Sequence, residues 1–99
     1  MSVIEDTRDI YQRAIDAWGE ESQIDMGIEE CGELIVALSK LGRSKGVRAS
    51  RIEAAIDEIA DVTIMMRQLR IVFGAEDVDK RIEFKLARLE QLIADAGDK

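Results

Sequence analysis

The chain has 99 residues, 46% of them hydrophobic and 35% charged, with a net charge of −7, one cysteine, no histidine and no proline. That length holds one domain, residues 1–99, and the negative balance excludes general nucleic-acid binding, which needs a basic footprint. No apolar run is long enough to span a bilayer, the start Met1-Ser2-Val3-Ile4-Glu5-Asp6 lacks the pattern of a secretion signal, and the lone Cys31 fits a reducing compartment, so a cytoplasmic protein without membrane partners is expected. Aliphatic, proline-free and rich in Ala, Glu, Lys and Arg, the composition predicts an all-α helical bundle.

The first helix is expected over Val3–Ala17, with Ile4, Tyr11, Ala14, Ile15 and Trp18 on one side and Gly19 as its stop. Trp18 is a candidate to stack on a nucleobase, against the ordinary alternative of a core aromatic at a helix end. Gln23 can read a base edge or simply occupy the first turn of the next helix. Ser22 and Asp25 form a weak capping box, which places helix two at about Gln23–Leu41.

Within helix two, Ile28-Glu29-Glu30-Cys31-Gly32-Glu33-Leu34 is apolar, acid, acid, apolar, small, acid, apolar. The same pattern recurs 28 residues later as Ile56-Asp57-Glu58-Ile59-Ala60-Asp61-Val62. Helical periodicity puts Ile24, Ile28, Cys31, Ile35 and Leu38 on one face, and Ile52, Ile56, Ile59, Met66 and Leu69 on the corresponding face of helix three. At about 100° per residue, Glu30 falls between Ala37 and Leu41, and Glu58 between Met65 and Leu69, inside the apolar arcs. Glu33 and Asp61 lie three residues on, at the edges. Two such helices packed antiparallel bring four carboxylates together.

Four anions in a partly dry space need protons, basic side chains or a metal as compensation. An all-oxygen donor set suits a hard divalent cation, Mg²⁺ or Mn²⁺, and a chain without histidine does not suit the di-iron helical bundles that use Glu-x-x-His. The plainer alternative is a solvated acidic stripe paired to lysine and arginine.

The connection Gly42-Arg43-Ser44-Lys45-Gly46-Val47-Arg48-Ala49 contains no acid. Arg43, Lys45 and Arg48 are therefore candidates to meet phosphates, the alternative being that they complement the negative end of helix two. Ser50-Arg51-Ile52-Glu53 reads as a capping box that opens helix three, which runs to about Phe73 before Gly74. Ile64 and Ile71, with Val36 on helix two, form a second apolar face that predicts a homodimer or homotetramer. Helix four is expected at about Val78–Ala94, with Ile82, Leu86, Leu89 and Ile93 inward, Lys80, Arg81, Lys85 and Arg88 outward, and a frayed tail from Asp95 to Lys99.

Glu29-Glu30-x-x-Glu33, twenty-four intervening residues and Glu58-x-x-Asp61 resemble the signature of the MazG-like all-α nucleoside triphosphate pyrophosphohydrolases. The flanks Trp18-Gly19-Glu20-Glu21-Ser22-Gln23 and Leu38-Ser39-Lys40 look like those of short single-domain members, and the likeness covers roughly residues 18 to 89. It implies a four-helix bundle with two central antiparallel helices carrying the acids, completed by oligomerisation. It further implies Mg²⁺ held by Glu30, Glu33, Glu58 and Asp61 as the catalytic acids, with Glu29 in support and Lys85, before Arg88-Leu89, on a phosphate. Base-specific relatives carry extra recognition residues that are not placed on this sequence, so substrate identity does not transfer.

The activity this predicts is Mg²⁺-dependent hydrolysis of ribo- or deoxynucleoside triphosphates to monophosphate and pyrophosphate. With no histidine, a carboxylate or the metal must activate the water. The alternatives are pyrophosphohydrolysis of another nucleotide, such as phosphoribosyl-ATP or a modified nucleotide, and a non-catalytic helical oligomerisation or adaptor module.

Overall fold

The computed structural model describes residues 3–43 and 45–97, the first seven of them as backbone alone. They form four helices, α1 (Val3–Trp18), α2 (Glu20–Gly42), α3 (Arg48–Phe73) and α4 (Ala75–Gly97), with no strand among the described residues. None of these helices is long and apolar enough to cross a membrane.

The breaks between helices are made by glycine. Gly19 (φ 85°) and Gly74 (φ 106°) hold conformations that L side chains avoid, so single residues separate α1 from α2 and α3 from α4. Gly19 itself caps α2, which begins three residues before the expected start, and no side chain caps it. The Ser22–Asp25 box is therefore not formed. Likewise α3 begins at Arg48 with Val47 as its cap, because Gly46 (φ 77°) completes the turn earlier than Ser50 does. Ser50 lies inside the first turn, where its hydroxyl donates to the Val47 carbonyl at 3.0 Å. The far end of α4 is helical through Asp95, Ala96 and Gly97, beyond the expected fraying point. Ile4, Ser44, Asp98 and Lys99 lie outside the side chains described.

Helices α2 and α3 make an antiparallel hairpin, the principal packing contact of the chain. At its tip the Arg51 guanidinium (Nη1) donates to the Lys40 carbonyl at 3.1 Å, satisfying one of the free acceptors at the end of α2. At the other end a Cβ built on Gly27 would stand 2.9 Å from Leu69 Cδ1, so glycine lets the helices close together there. Helix α1 lies across this pair. Tyr11 and Ile15 are buried among its described side chains, and Arg67 Nη1 donates to the Tyr11 hydroxyl at 3.1 Å. Trp18 is 61% exposed, which removes it from the core.

Among the described side chains the buried core is small: its apolar members are Tyr11, Ile15, Ala37, Ala55 and Met65, joined by Gly27 and two amides, Gln23 and Gln68. The aliphatic faces expected to fill it point elsewhere: Ile28, Ile35, Leu38, Ile52, Ile56, Ile59 and Met66 are all exposed, and Cys31 is only half-buried. Close packing at Gly27, Ala37 and Ala55 selects the small-residue side of each helix for the seam and turns the branched side outward. Ile64 and Val36 are exposed as expected of a second apolar face, while Ile71 is half-buried.

Helix α4 departs from expectation most. Arg70 Nε and Nη2 donate to Asp79 at 2.7 and 2.6 Å, fastening the start of α4 to the end of α3, and the packing stops within the next turn or so. None of its residues is buried, and Ile82, Leu86, Leu89 and Ile93, expected inward, face solvent in the single chain. The radius of gyration is 17.0 Å, against about 13 Å for a compact chain of this length. Accessible surface is 7740 Å², about 2,000 Å² more than a compact monomer of this mass exposes.

Two glycine substitutions report on this geometry with opposite signs. Gly74→Ala should cost roughly 1–3 kcal/mol, since alanine must adopt a strained positive φ. Gly32 is helical with open space around its Cβ position, and Gly32→Ala should add about 0.5–1 kcal/mol. Denaturant midpoints of the two variants check both.

Candidate functional site

The register that pairs Lys40 with Arg51 at the hairpin tip also brings the repeated acids face to face. Glu30, Glu33 and Glu58 each offer a carboxylate oxygen within 4.8 Å of the others. Asp61 stands outside that trio but close enough to raise the pKa of both Glu30 and Glu58. It shares a cavity of about 260 Å³ with Glu30, Met26, Ile64, Met65 and Gln68. The four acids of the repeat are thus neighbours, as the antiparallel pairing of the two copies requires.

Burial is uneven within the cluster. Glu30 and Glu58 are half-buried, whereas Glu33 and Asp61 are exposed, which matches their places inside and at the edge of the helical arcs. One oxygen of each half-buried acid, Glu30 Oε2 and Glu58 Oε2, is shielded from water and has no hydrogen-bond partner. Such an acceptor is costly to leave unpaired. Desolvation is the first cause that raises the Glu30 pKa, followed by repulsion from Glu33, Asp61 and Glu58; for Glu58 desolvation again leads, followed by Glu33, Asp61 and Asp57.

A raised carboxyl pKa has a definite sign in stability. With both carboxyls raised above the ordinary 4.5, folding favours their protonated forms as pH climbs past that value, so their contribution is complete below 4.5 and is lost as pH rises through the raised values. The Arg70 hydrogen bonds lower the Asp79 pKa and act oppositely, but only below its ordinary 3.8. In chelator the melting temperature should therefore fall as pH rises above about 4.5, and Glu30→Gln should flatten that slope. An unchanged slope in the variant would mean that the cluster carries no such strain.

The donor set fits a hard divalent cation. Its donors are all carboxylate oxygens within 4.8 Å of one another, Glu30 and Glu58 each carry an orphaned oxygen, and an octahedral Mg²⁺ shell with bonds of about 2.0–2.1 Å spans roughly 4.2 Å.

A larger cavity of about 570 Å³ opens beside the acids, lined by Glu29, Glu33 and Glu58, by Gly32, Val36, Ala37 and Ala54, and by Lys40. Glu29 is thus at the site's edge without belonging to the trio. In the sequence pattern Lys40 stands only within the flank Leu38-Ser39-Lys40. Its spacing held the signal, for residues 29, 33, 36 and 40 recur at one helical face. The cations of the basic connection and of α4 lie elsewhere. Arg43, Lys45 and Arg48 are exposed at the hairpin tip, and Arg43 and Arg48 sit ten residues from Glu33 and Glu58, roughly 15 Å of helical rise. Lys85 is on the solvent-facing part of α4 and lines neither cavity. Trp18 lines neither cavity as well, while Gln23 is fully buried next to Met26, to whose Sδ its Nε2 donates at 3.7 Å. No protein-family model, curated protein or solved structure matches the chain.

Proposed function

We propose that the chain is a Mg²⁺-dependent pyrophosphohydrolase of ribo- or deoxynucleoside triphosphates and works as a homodimer or homotetramer of MazG-like type. The observation that carries the activity is the pair of shielded, unpartnered oxygens on Glu30 and Glu58 beside Glu33. Glu30, Glu33 and Glu58 would hold the cation, with Mn²⁺ as a substitute, and Asp61 lies alongside. A bound divalent ion supplies charge neutralisation and Lewis acidity toward the phosphate.

The chain's own groups account for the rest. Lys40, which lines the larger cavity together with Glu33 and Glu58, pairs with the terminal phosphates and steadies the leaving pyrophosphate. Asp61, outside the trio, accepts the proton of the attacking water, the carboxylate base that a chain without histidine has to offer beside the cluster. Water attacks the α-phosphorus, the bond to the bridging oxygen breaks, and pyrophosphate leaves with that electron pair. Lys85 serves as a phosphate contact only if oligomerisation brings it from another subunit.

Hydrolysis in ¹⁸O-labelled water tests this directly. Label confined to the nucleoside monophosphate supports attack at the α-phosphorus, while label in free phosphate or pyrophosphate refutes it. A non-catalytic oligomerisation module is the second reading, favoured by the exposed apolar faces of α2, α3 and α4. It leaves the orphaned carboxylate oxygens unexplained and predicts no response to Mg²⁺.

A further inference from the structure

Along α2 the chain builds a symmetric apolar stripe. Ile24, Ile28, Cys31, Ile35 and Leu38 follow one another four and three residues apart, the spacing of a helix that packs lengthwise on another helix, and the stripe is centred on Cys31. Ile28, Ile35 and Leu38 are 69, 68 and 48% exposed, so the single chain leaves it open. At about 100° per residue Glu33 lies opposite this stripe and Glu30 well to one side, which separates it from the acidic cluster.

Charge of opposite sign is laid out at the two ends of the same helix. From Leu34 to Ile52 the chain holds no acid and five cations, leaving nine cations against 21 acids elsewhere, a local charge of +5 on a remainder of −12. The hairpin gathers those cations at its tip, where Arg43, Lys45 and Arg48 are exposed and pair with no carboxylate among the described residues. Helix ends do not absorb this charge. The C-terminus of α2 and the N-terminus of α3 meet at the tip, and their partial charges of about −0.5 and +0.5 cancel. At the other end of α2, about 33 Å away, the α1–α2 corner exposes Asp16, Glu20, Glu21 and Asp25 round Trp18.

We propose that a second copy of this chain docks along α2 in antiparallel sense, stripe against stripe, with the basic tip of each copy on the acidic corner of the other. A two-fold axis near Cys31 makes both end contacts at once and closes the pair, since positions equidistant from residue 31 are apolar in the middle and opposite in charge at the ends. The charges select this occupant. A nucleic-acid strand long enough to leave the tip meets the −12 remainder, and the tip has no ring on which a single strand stacks, because Tyr11, Trp18, Phe73 and Phe84 all lie outside residues 34–52. A second copy supplies a stripe of equal length and the acidic end, where Trp18 offers a ring face to the partner subunit's Arg43. With the α4 stripe, this face belongs to the excess surface of about 2,000 Å² that suits one subunit of a stable dimer. The inference rests on the proposed function only for the existence of a homo-oligomer, to which it gives a direction, and makes no use of catalysis.

Cys31, the one cysteine, reports the two-fold axis directly. Packed helices lie about 8–10 Å apart, so a bis-maleimide of about that span should link two wild-type chains in native buffer and give no product after Cys31→Ser. Charge reversal tests the ends. Arg43→Glu with Lys45→Glu and Arg48→Glu, or Asp16→Lys with Glu20→Lys and Glu21→Lys, changes only exposed side chains and should weaken self-association about tenfold or more. The two variants mixed one to one should associate as tightly as wild type, as read by sedimentation. A folded oligomer that does not link through Cys31, charge reversals without effect, or a mixture that recovers nothing would overturn the docking while sparing an oligomer of other geometry. Unchanged sedimentation of the tip variant together with lost binding of a short single-stranded oligonucleotide would overturn it too and give the tip to nucleic acid. A monomeric wild type would overturn both this docking and the oligomer of the proposed function.

Discussion

Glu30→Gln should remove Mg²⁺-dependent turnover and, in chelator at neutral pH, raise the melting temperature. Both effects have one cause. In the metal-free protein the Glu30 carboxylate is partly desolvated, repelled by Glu33, Asp61 and Glu58, and leaves one oxygen without a partner. An amide of the same shape carries no charge into that space, so the folded state gains. With Mg²⁺ the order reverses. At a hundred times the dissociation constant, binding stabilises the wild type by about 2.7 kcal/mol, and a variant that has lost a charged ligand recovers only part of this. A lost ligand forfeits several kcal/mol of transition-state stabilisation, a drop in kcat/KM of about a hundred- to a thousandfold. Glu58→Gln should behave alike, since its place in the second copy of the repeat is equivalent. Melting curves in chelator and in Mg²⁺ check the reversal. A metal-free variant clearly less stable than wild type would instead identify a structural ion pair.

Replacing Leu86 and Leu89 together with glutamate should convert an oligomer to monomer and lower the melting temperature by more than about 10 °C. In the single chain both side chains are half-exposed or more, at 55% and 49%, and such surface positions ordinarily change stability by less than about 0.5 kcal/mol. The expected loss is larger because surface elsewhere requires it. The excess of about 2,000 Å² over a compact monomer matches what one subunit contributes to an obligate interface. Burying two leucines is worth roughly 3–6 kcal/mol, and each kcal/mol corresponds to about 4–8 °C in a domain of this size. Sedimentation of wild type and variant, together with their melting curves, decides it. A monomeric wild type unaffected by the change would show that α4 needs no partner.

These predictions divide along a line visible in the sequence. Four helices, their approximate ends and the meeting of Glu30, Glu33, Glu58 and Asp61 were legible, because period and repeat spacing are properties of the chain itself. The orientation of the aliphatic faces was not. Periodicity shows that Ile28, Ile35, Ile56 and Ile59 share stripes, but not whether the same chain covers them. Contact geometry decided that, through the close approach at Gly27, Ala37 and Ala55. Helix ends followed Gly19 and Gly46 rather than Ser22 and Ser50, since a positive φ terminates a helix whatever cap follows. The cations show a third case. Arg43, Lys45 and Arg48 cluster along the chain, yet helical rise carries them away from the acids, whereas Lys40 stands on the acids' own face of α2.

The most direct test of the central claim is product release from a panel of nucleoside triphosphates, with Mg²⁺ and with chelator, for wild type and Glu30→Gln. The site as described predicts equimolar pyrophosphate and nucleoside monophosphate from wild type with Mg²⁺, none with chelator, and about a hundred- to a thousandfold less from Glu30→Gln. Release undiminished by chelator or by the Glu30 substitution, or no release from any nucleotide under conditions where wild type is folded, would contradict it.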